Sequence, residues 1–223
     1  MMVTAIAMLF AFAVVLGYSR KQARVSIRRQ VKQKLPPSKG GQLGFKHRLY
    51  VYASSLTWLM ARLCGFVPSG WLRGFLYRHV FCARLSPAAR VSIGCELICP
   101  WNIVLGAHSL IGIENKIDGR GGVVIGSNVN MSHQVSIWTM QHDVNDADFA
   151  SVVGTVVIED YVWLGNKVTV LPGVTVAKGC VVAAGAVVTK DTEEFGIYAG
   201  IPAKRVGERS RDLRYSIEFS PIF

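Results

Sequence analysis

"VVGTVVIEDYVWLGNKVTVLPGVTVAKGCVVAAGAVVTKDTE", Val152 to Glu193, divides without remainder into seven hexads. Position one is Val, Ile or Leu in every hexad, and position five is Val, Cys, Ala or Thr. An α-helix wants apolar residues at spacings near 3.6, and a half-buried strand wants strict alternation. A period of six with two inward positions fits neither. It signals a parallel β-helix in which each hexad supplies a short strand and a turn. Position one fills the interior and position five must be small enough to share it. Successive turns then satisfy one another's backbone groups at the usual strand spacing.

Upstream the same frame reads Ile93, Cys99, Leu105, Ile111 and Ile117, then Ile125, Met131 and Ile137. The step from Ile117 to Ile125 is eight, so two residues intrude at Gly121-Gly122. The step from Ile137 to Val152 is fifteen, one hexad and a surplus of nine. The frame holds fifteen hexads, about five coils of three hexads each. The surplus falls in "SIWTMQHDVNDADF" (136–149), where His142 sits with Asp143, Asp146 and Asp148. Such a polar stretch does not pack inside, so a loop leaving the repeat is expected. The open ends of the stack need covering, and the front half and the tail from Arg205 are the obvious covers.

"VWLGNKVTVLPGVTVAKGCVVAAGAVVTKD" followed by "YAGIPAKRV" resembles the hexapeptide-repeat acyltransferases, whose β-helix is left-handed and triangular in section. Within that superfamily, "GGVVIGSNVNMSHQVSIWTMQHDVNDADF" is most similar to sugar O-acetyltransferases of the colanic acid, maltose and galactoside type. The resemblance covers about residues 91–207. It implies the left hand, where general rules for parallel crossovers favour the right. It also implies a homotrimer, acetyl-CoA as acyl donor in the groove between neighbouring subunits, and a histidine base on the interrupting loop.

The histidine of that motif falls on His142, in "QHD". A sugar hydroxyl is a weak nucleophile near neutral pH. A neutral imidazole within about 3 Å takes its proton as the oxygen attacks the thioester, typically a gain of 10²–10⁴. The other ring nitrogen needs an acceptor to fix the tautomer, either a loop carbonyl or a carboxylate such as Asp143. His133, at position three of "MSHQVS", should face outward near the same cleft, and Trp138 is a candidate for orientation or acceptor contact. Asn166, Ala184, Thr189 and Lys190 match the family positions along the pantetheine arm. Lys204 and Arg205 match those that meet the adenosine phosphates. Small residues such as Ala184 and Gly185 let a thin chain approach, and cations attract phosphate. Trp163, outward at position six, is a cleft-lining candidate.

No metal is expected. His108, His133 and His142 are spaced 25 and 9, unlike the gamma-type carbonic anhydrases that share this fold. Cys64, Cys82, Cys95, Cys99 and Cys180 form no CxxC pair and read as small apolar residues in a reducing compartment. Cys180, at position five, points inward, so direct transfer is expected over an acetyl-cysteine.

Charge divides the chain. Residues 1–90 hold 15 Lys+Arg and no Asp or Glu, whereas residues 91–223 hold 10 and 14. Met2 to Tyr18 carries no charge and is just long enough to span a bilayer. Seven Lys/Arg follow between Arg20 and Lys34, which keeps the catalytic domain cytoplasmic by the positive-inside rule. The expected organisation is an anchor helix over 1–20, a basic linker over 21–45 and two amphipathic interfacial helices over 46–90. The β-helix follows over 91–207, and a tail over 208–223. No nucleic-acid motif accompanies the basic arm. The reading is an inner-membrane O-acetyltransferase acting on a lipid- or nucleotide-linked sugar of surface polysaccharide synthesis. Its rivals are an amino-sugar N-acetyltransferase and a non-catalytic scaffold.

Overall fold

The computed structural model describes residues 45–218, with Val14, Gly17 and Gln33–Lys34 besides. The rest of the expected anchor over 1–20, and most of the basic linker, lie outside the described residues. Among the described residues no helix is long and apolar enough to cross a membrane.

From Arg84 onward the chain winds as a parallel β-solenoid of about six turns. Its short strands stack into three sheets. Two have five strands, and the third has seven, ending in the antiparallel strand Lys204–Glu208. Each sheet sends one residue per rung inward. On the first these are Leu85, Leu105, Ile125, Ile158 and Val176. On the second they are Val91, Ile111, Met131, Leu164 and Val182. On the third they are Leu97, Ile117, Ile137, Val170 and Val188. All are buried, as are the position-five residues Val162, Val168, Val174, Cys180 and Ala186.

Three bare hexads make a turn of 18 residues, the step from Ile158 to Val176. The steps from Leu85 to Leu105 and on to Ile125 are 20, and the step to Ile158 is 33. The first two turns therefore carry two extra residues each, and the third carries fifteen. All of them leave at one corner, the one following Leu97, Ile117 and Ile137. The fillers Val176, Val182 and Val188 are all valine, whereas Leu, Ile and Met predominate on the rungs before them.

Part of the hexad frame is corrected. Ile93 and Cys99 are only half-buried, and Val91 and Leu97 point inward instead. The short turn Pro100–Asn102 inserts the two residues that shift the frame. Val152 is half-buried and lies outside the interior, in a strand, Ser151–Val153, that pairs antiparallel with Met140–His142. The surplus before the repeat resumes is therefore fifteen residues rather than nine.

Two helices precede the solenoid, α1 (Phe45–Cys64) and α2 (Gly70–His79). The Ser69 hydroxyl caps α2 by accepting from the Leu72 amide. α1 packs on the strand Glu96–Ile98, and α2 on Arg84–Leu85 and Arg90–Val91. The buried stripe of α1 is Thr57, Ala61 and Cys64, all small, so the helix lies close to the rungs. A Cβ on Gly65 would overlap the carbonyl oxygen of Cys95, which fixes glycine at this junction.

Candidate active site

The fifteen-residue surplus folds into a hairpin. Met140–His142 pairs with Ser151–Val153, opposing His142 to Ser151. A third strand comes from the basic front segment: Gln33 and Lys34 pair antiparallel with Val153 and Val152. A lone two-stranded hairpin is marginal in water, and the added strand turns it into a small sheet.

A buried polar network anchors the hairpin to the corner. Asp118 is 1% exposed and takes a bidentate pair from Arg120, 2.9 and 3.0 Å. Its second carboxylate oxygen accepts the Thr139 amide, and its carbonyl accepts the Thr139 hydroxyl at 2.8 Å. The Thr139 hydroxyl accepts from Gly121 N–H, and Gly121 O accepts from the Thr155 hydroxyl. Thr139 and Thr155 are the two feet of the hairpin, so this network sets its exit angle. A Cβ on Gly121 would press on Thr139 and Val153, so glycine is required there.

At the tip, His142 Nδ1 lies 2.7 Å from the carbonyl oxygen of Phe149. A carbonyl only accepts, so Nδ1 carries the proton and the neutral ring leaves Nε2 as a lone-pair base. The imidazole also stacks on the Phe149 ring, centroids 3.9 Å apart and 7° from parallel. Phe149 holds φ at 50°, an uncommon left-handed backbone for an aromatic residue, and the turn around it is tied down. Asp146 Oδ1 accepts the amides of Asp148 and Ala150, and Asp143 Oδ1 accepts that of Asn145. Of the two expected partners for the ring, the loop carbonyl is the one that bonds Nδ1. Asp143 and Asp146 shape the turn.

His133 is locked the other way round. Its Nδ1 accepts the Ile113 amide at 3.0 Å, so in the neutral ring Nε2 bears the proton and is a donor. His133 N–H donates to Asn166 Oδ1, and Asn166 O accepts from Gly185 N–H. His133, Asn166 and Ala184–Gly185 thus form one column at the turns leading into the strands Ser136–Ile137, Thr169–Val170 and Val187–Val188. Ala184 and Gly185 are exposed, and a Cβ on Gly185 would meet open space. Trp138 and Thr189–Lys190 lie at the opposite corner, where the hairpin leaves. Trp138 lines a groove of about 490 Å³ with Phe66 and Arg62 of the α1 end, Glu96, Glu114 and Gln134. Within one chain, then, His142 and the His133–Asn166–Ala184 column belong to different corners.

Lys190 and Lys204 are exposed. Arg205 meets Glu193 at 3.5 Å and Glu208 at 3.3 Å. Trp163 faces outward and its indole N–H donates to Ser132 Oγ. Cys180 is fully buried, and burial pushes its thiol pKa up. Among the described residues no group of three His, Cys, Asp or Glu side chains could hold a metal ion. The sequence reading missed Asp118, Arg120, Thr139 and Thr155. Polar residues flanking Gly121 and the hairpin were their only signal.

Residues 155–190 match the family described as bacterial transferase hexapeptide (six repeats). An acyltransferase of dTDP-4-amino-4,6-dideoxy-D-glucose from Escherichia coli is 33% identical over 123 residues, 51% of this chain and 62% of the relative. The chain thus spans less than two thirds of that relative. A hexapeptide-repeat acetyltransferase of Vibrio cholerae, solved with acetyl coenzyme A, superposes with a TM-score of 0.65 at 22% identity over 72% of this chain and 90% of its own. The N-acyltransferase AntD of Bacillus cereus, in complex with dTDP and 3-hydroxybutyryl-CoA, gives 0.56 at 17% over 65% and 92%. At such identities the two structures testify to the fold. The repeat match over residues 155–190 agrees with them: this part of the solenoid is similar to the bacterial transferase hexapeptide repeat.

Proposed function

We propose that the chain transfers an acetyl group from acetyl-CoA to a sugar hydroxyl, with His142 as general base. The observation that carries this is the Nδ1 bond to Phe149 O, which leaves Nε2 basic on an exposed hairpin. Nε2 takes the hydroxyl proton as the oxygen bonds to the thioester carbonyl carbon. The tetrahedral intermediate then collapses, the C–S bond breaks, and the imidazolium returns the proton to the departing thiolate. His133, whose Nδ1 lone pair is taken up by the Ile113 amide, is not the base.

The left-handed triangular coil of three-fold assemblies suits this reading. The hairpin and the His133–Asn166–Ala184 column stand at different corners of one chain, and a homotrimer would bring one copy's hairpin to a neighbour's column. The pantetheine arm would lie along Asn166 and Ala184 of one copy, with Thr189 and Lys190 coming from the hairpin corner of its neighbour and Lys204 toward the phosphates. Arg205 would have to leave Glu193 and Glu208 to join them. The Trp138–Phe66 groove offers aromatic faces and carboxylates of the kind a sugar takes. The acceptor is a lipid- or nucleotide-linked precursor of a surface polysaccharide. The chain is held at the inner membrane by its uncharged segment, with the solenoid on the cytoplasmic side.

His142→Ala should lower acetyl transfer by about 10²–10⁴ with assembly unchanged in size. Full activity in that variant would overturn the assignment. A second reading is transfer to an amine, favoured by the relative named for dTDP-4-amino-4,6-dideoxy-D-glucose. A transferred acetyl that mild base removes is an ester, and one that survives is an amide.

A further inference from the structure

The residues α1 buries fully are small, Leu56 and Met60 pack on the core half-buried, and several of its large apolar residues are exposed. Tyr52, Leu59 and Leu63 are 65%, 44% and 52% exposed and fall on one stripe of the helix. α2 continues the surface with Trp71, 73% exposed and stacked on Phe75. An apolar face this broad marks an interaction surface.

Beside it, between α2 and the first rungs, is a cavity of about 440 Å³. Trp71 stands at its edge, Leu85, Val91 and Leu110 give it an apolar wall, and Arg73, Arg78 and Arg90 line the rest. The three guanidiniums bond only to backbone carbonyls. Arg73 reaches Val91 O and Val67 O, Arg78 reaches Gly74 O and Ser86 O, and Arg90 reaches Pro87 O and Ala89 O. Among the described residues none of the three has a carboxylate partner, and residues 1–90 contain no Asp or Glu. Arg73 is 1% exposed, so its charge is buried with no counter-charge. Such a cavity is complementary to an anion that also carries apolar mass.

We propose that this cavity receives the phosphate of an anionic phospholipid, and that the outward face of α1 and α2 lies in the headgroup layer of the same bilayer. The aromatic rings sit at headgroup depth, and Arg78 and Arg90 bracket the phosphate. The inference rests on the membrane-facing reading of the front half. It adds a specific lipid site that an anchor helix alone would not create.

The test uses the full chain on vesicles of phosphatidylcholine, with or without about one-third phosphatidylglycerol, at equal bound protein. Hydrogen exchange of the Gly70–Arg78 amides should be about thirtyfold slower with the anionic lipid, the factor two surface arginines supply. The double variant Arg78→Gln/Arg90→Gln should lose that slowing, and Arg78→Lys/Arg90→Lys should keep most of it. Equal exchange on the two vesicles, or full slowing in the glutamine variant, overturns the site. Equal slowing by inorganic phosphate without vesicles also overturns it, by assigning the cavity to a soluble anion. Acetyl transfer to a water-soluble acceptor is measured in parallel. The glutamine variant keeps it, so loss of lipid binding and loss of the acyltransferase reading are told apart.

Discussion

In the solenoid three columns of bulky aliphatic residues are inside, and the charges, Asp118 apart, are outside. In α1 the buried stripe is Thr57, Ala61 and Cys64, while Tyr52, Leu59 and Leu63 face outward. The solenoid is also the mildly acidic part of the chain, and the helices belong to the part with no acidic residue. The first arrangement is what one solvent, water, selects. The second is what a helix shows when it must fit tightly against a scaffold on one side and meet an apolar medium on the other.

The largest expected effect separates the two regions directly. Leu97→Ala removes a fully buried filler at the solenoid–α1 contact and should cost about 2–5 kcal/mol in urea unfolding. Leu63→Ala, the same chemical change on the exposed stripe of α1, should stay within about 0.5 kcal/mol. Equal losses at both sites would mean that the outer face of α1 is covered within the folded chain.

That contrast also explains what could be read in advance. From Ile158 onward position one is aliphatic at every sixth residue because each rung needs a filler, so the period is visible in the letters. Upstream, Ile93 and Cys99 happen to be apolar two residues from the true fillers, Val91 and Leu97. Gly121-Gly122 announced one insertion, whereas Pro100–Asn102 carried no such mark. Val152 kept the beat by coincidence while sitting in the hairpin. His142 was legible because polar residues broke the repeat. The carbonyl of Phe149 was not, since a backbone acceptor has no sequence signature. The opposite tautomer of His133 likewise depends on the Ile113 amide one turn away in the stack.

The seam between cap and solenoid should respond to alkali. Burial pushes the Cys64 thiol up to about 12 and that of Cys95 to about 11, from an ordinary 9.0. The unfolded chain would ionise first, so this stability is complete below about pH 9 and is lost as pH rises toward the folded values. Each thiol contributes at most about 1.4 kcal/mol between about pH 9 and pH 10. Urea midpoints across that interval measure the loss, and Cys64→Ser should flatten it in part. A pH-independent midpoint would show that the seam opens before the thiols are sensed.

The smallest expected effect lies at the hairpin tip. Asp146→Ala removes the acceptor of the Asp148 and Ala150 amides and loosens the turn that holds Phe149 O against His142. Acetyl transfer should fall about tenfold, with the unfolding midpoint nearly unchanged. A rate equal to the parent would show that the stacked rings alone hold the imidazole.

The corner after Leu97, Ile117 and Ile137 takes up two, two and fifteen extra residues while the rungs on either side keep their register. Chain length there is uncoupled from the ladder, as at a seam left open along one edge of a woven cylinder. New sequence can enter or leave at that seam without re-threading a single inward column. The hairpin can therefore diversify on a body that has no need to change.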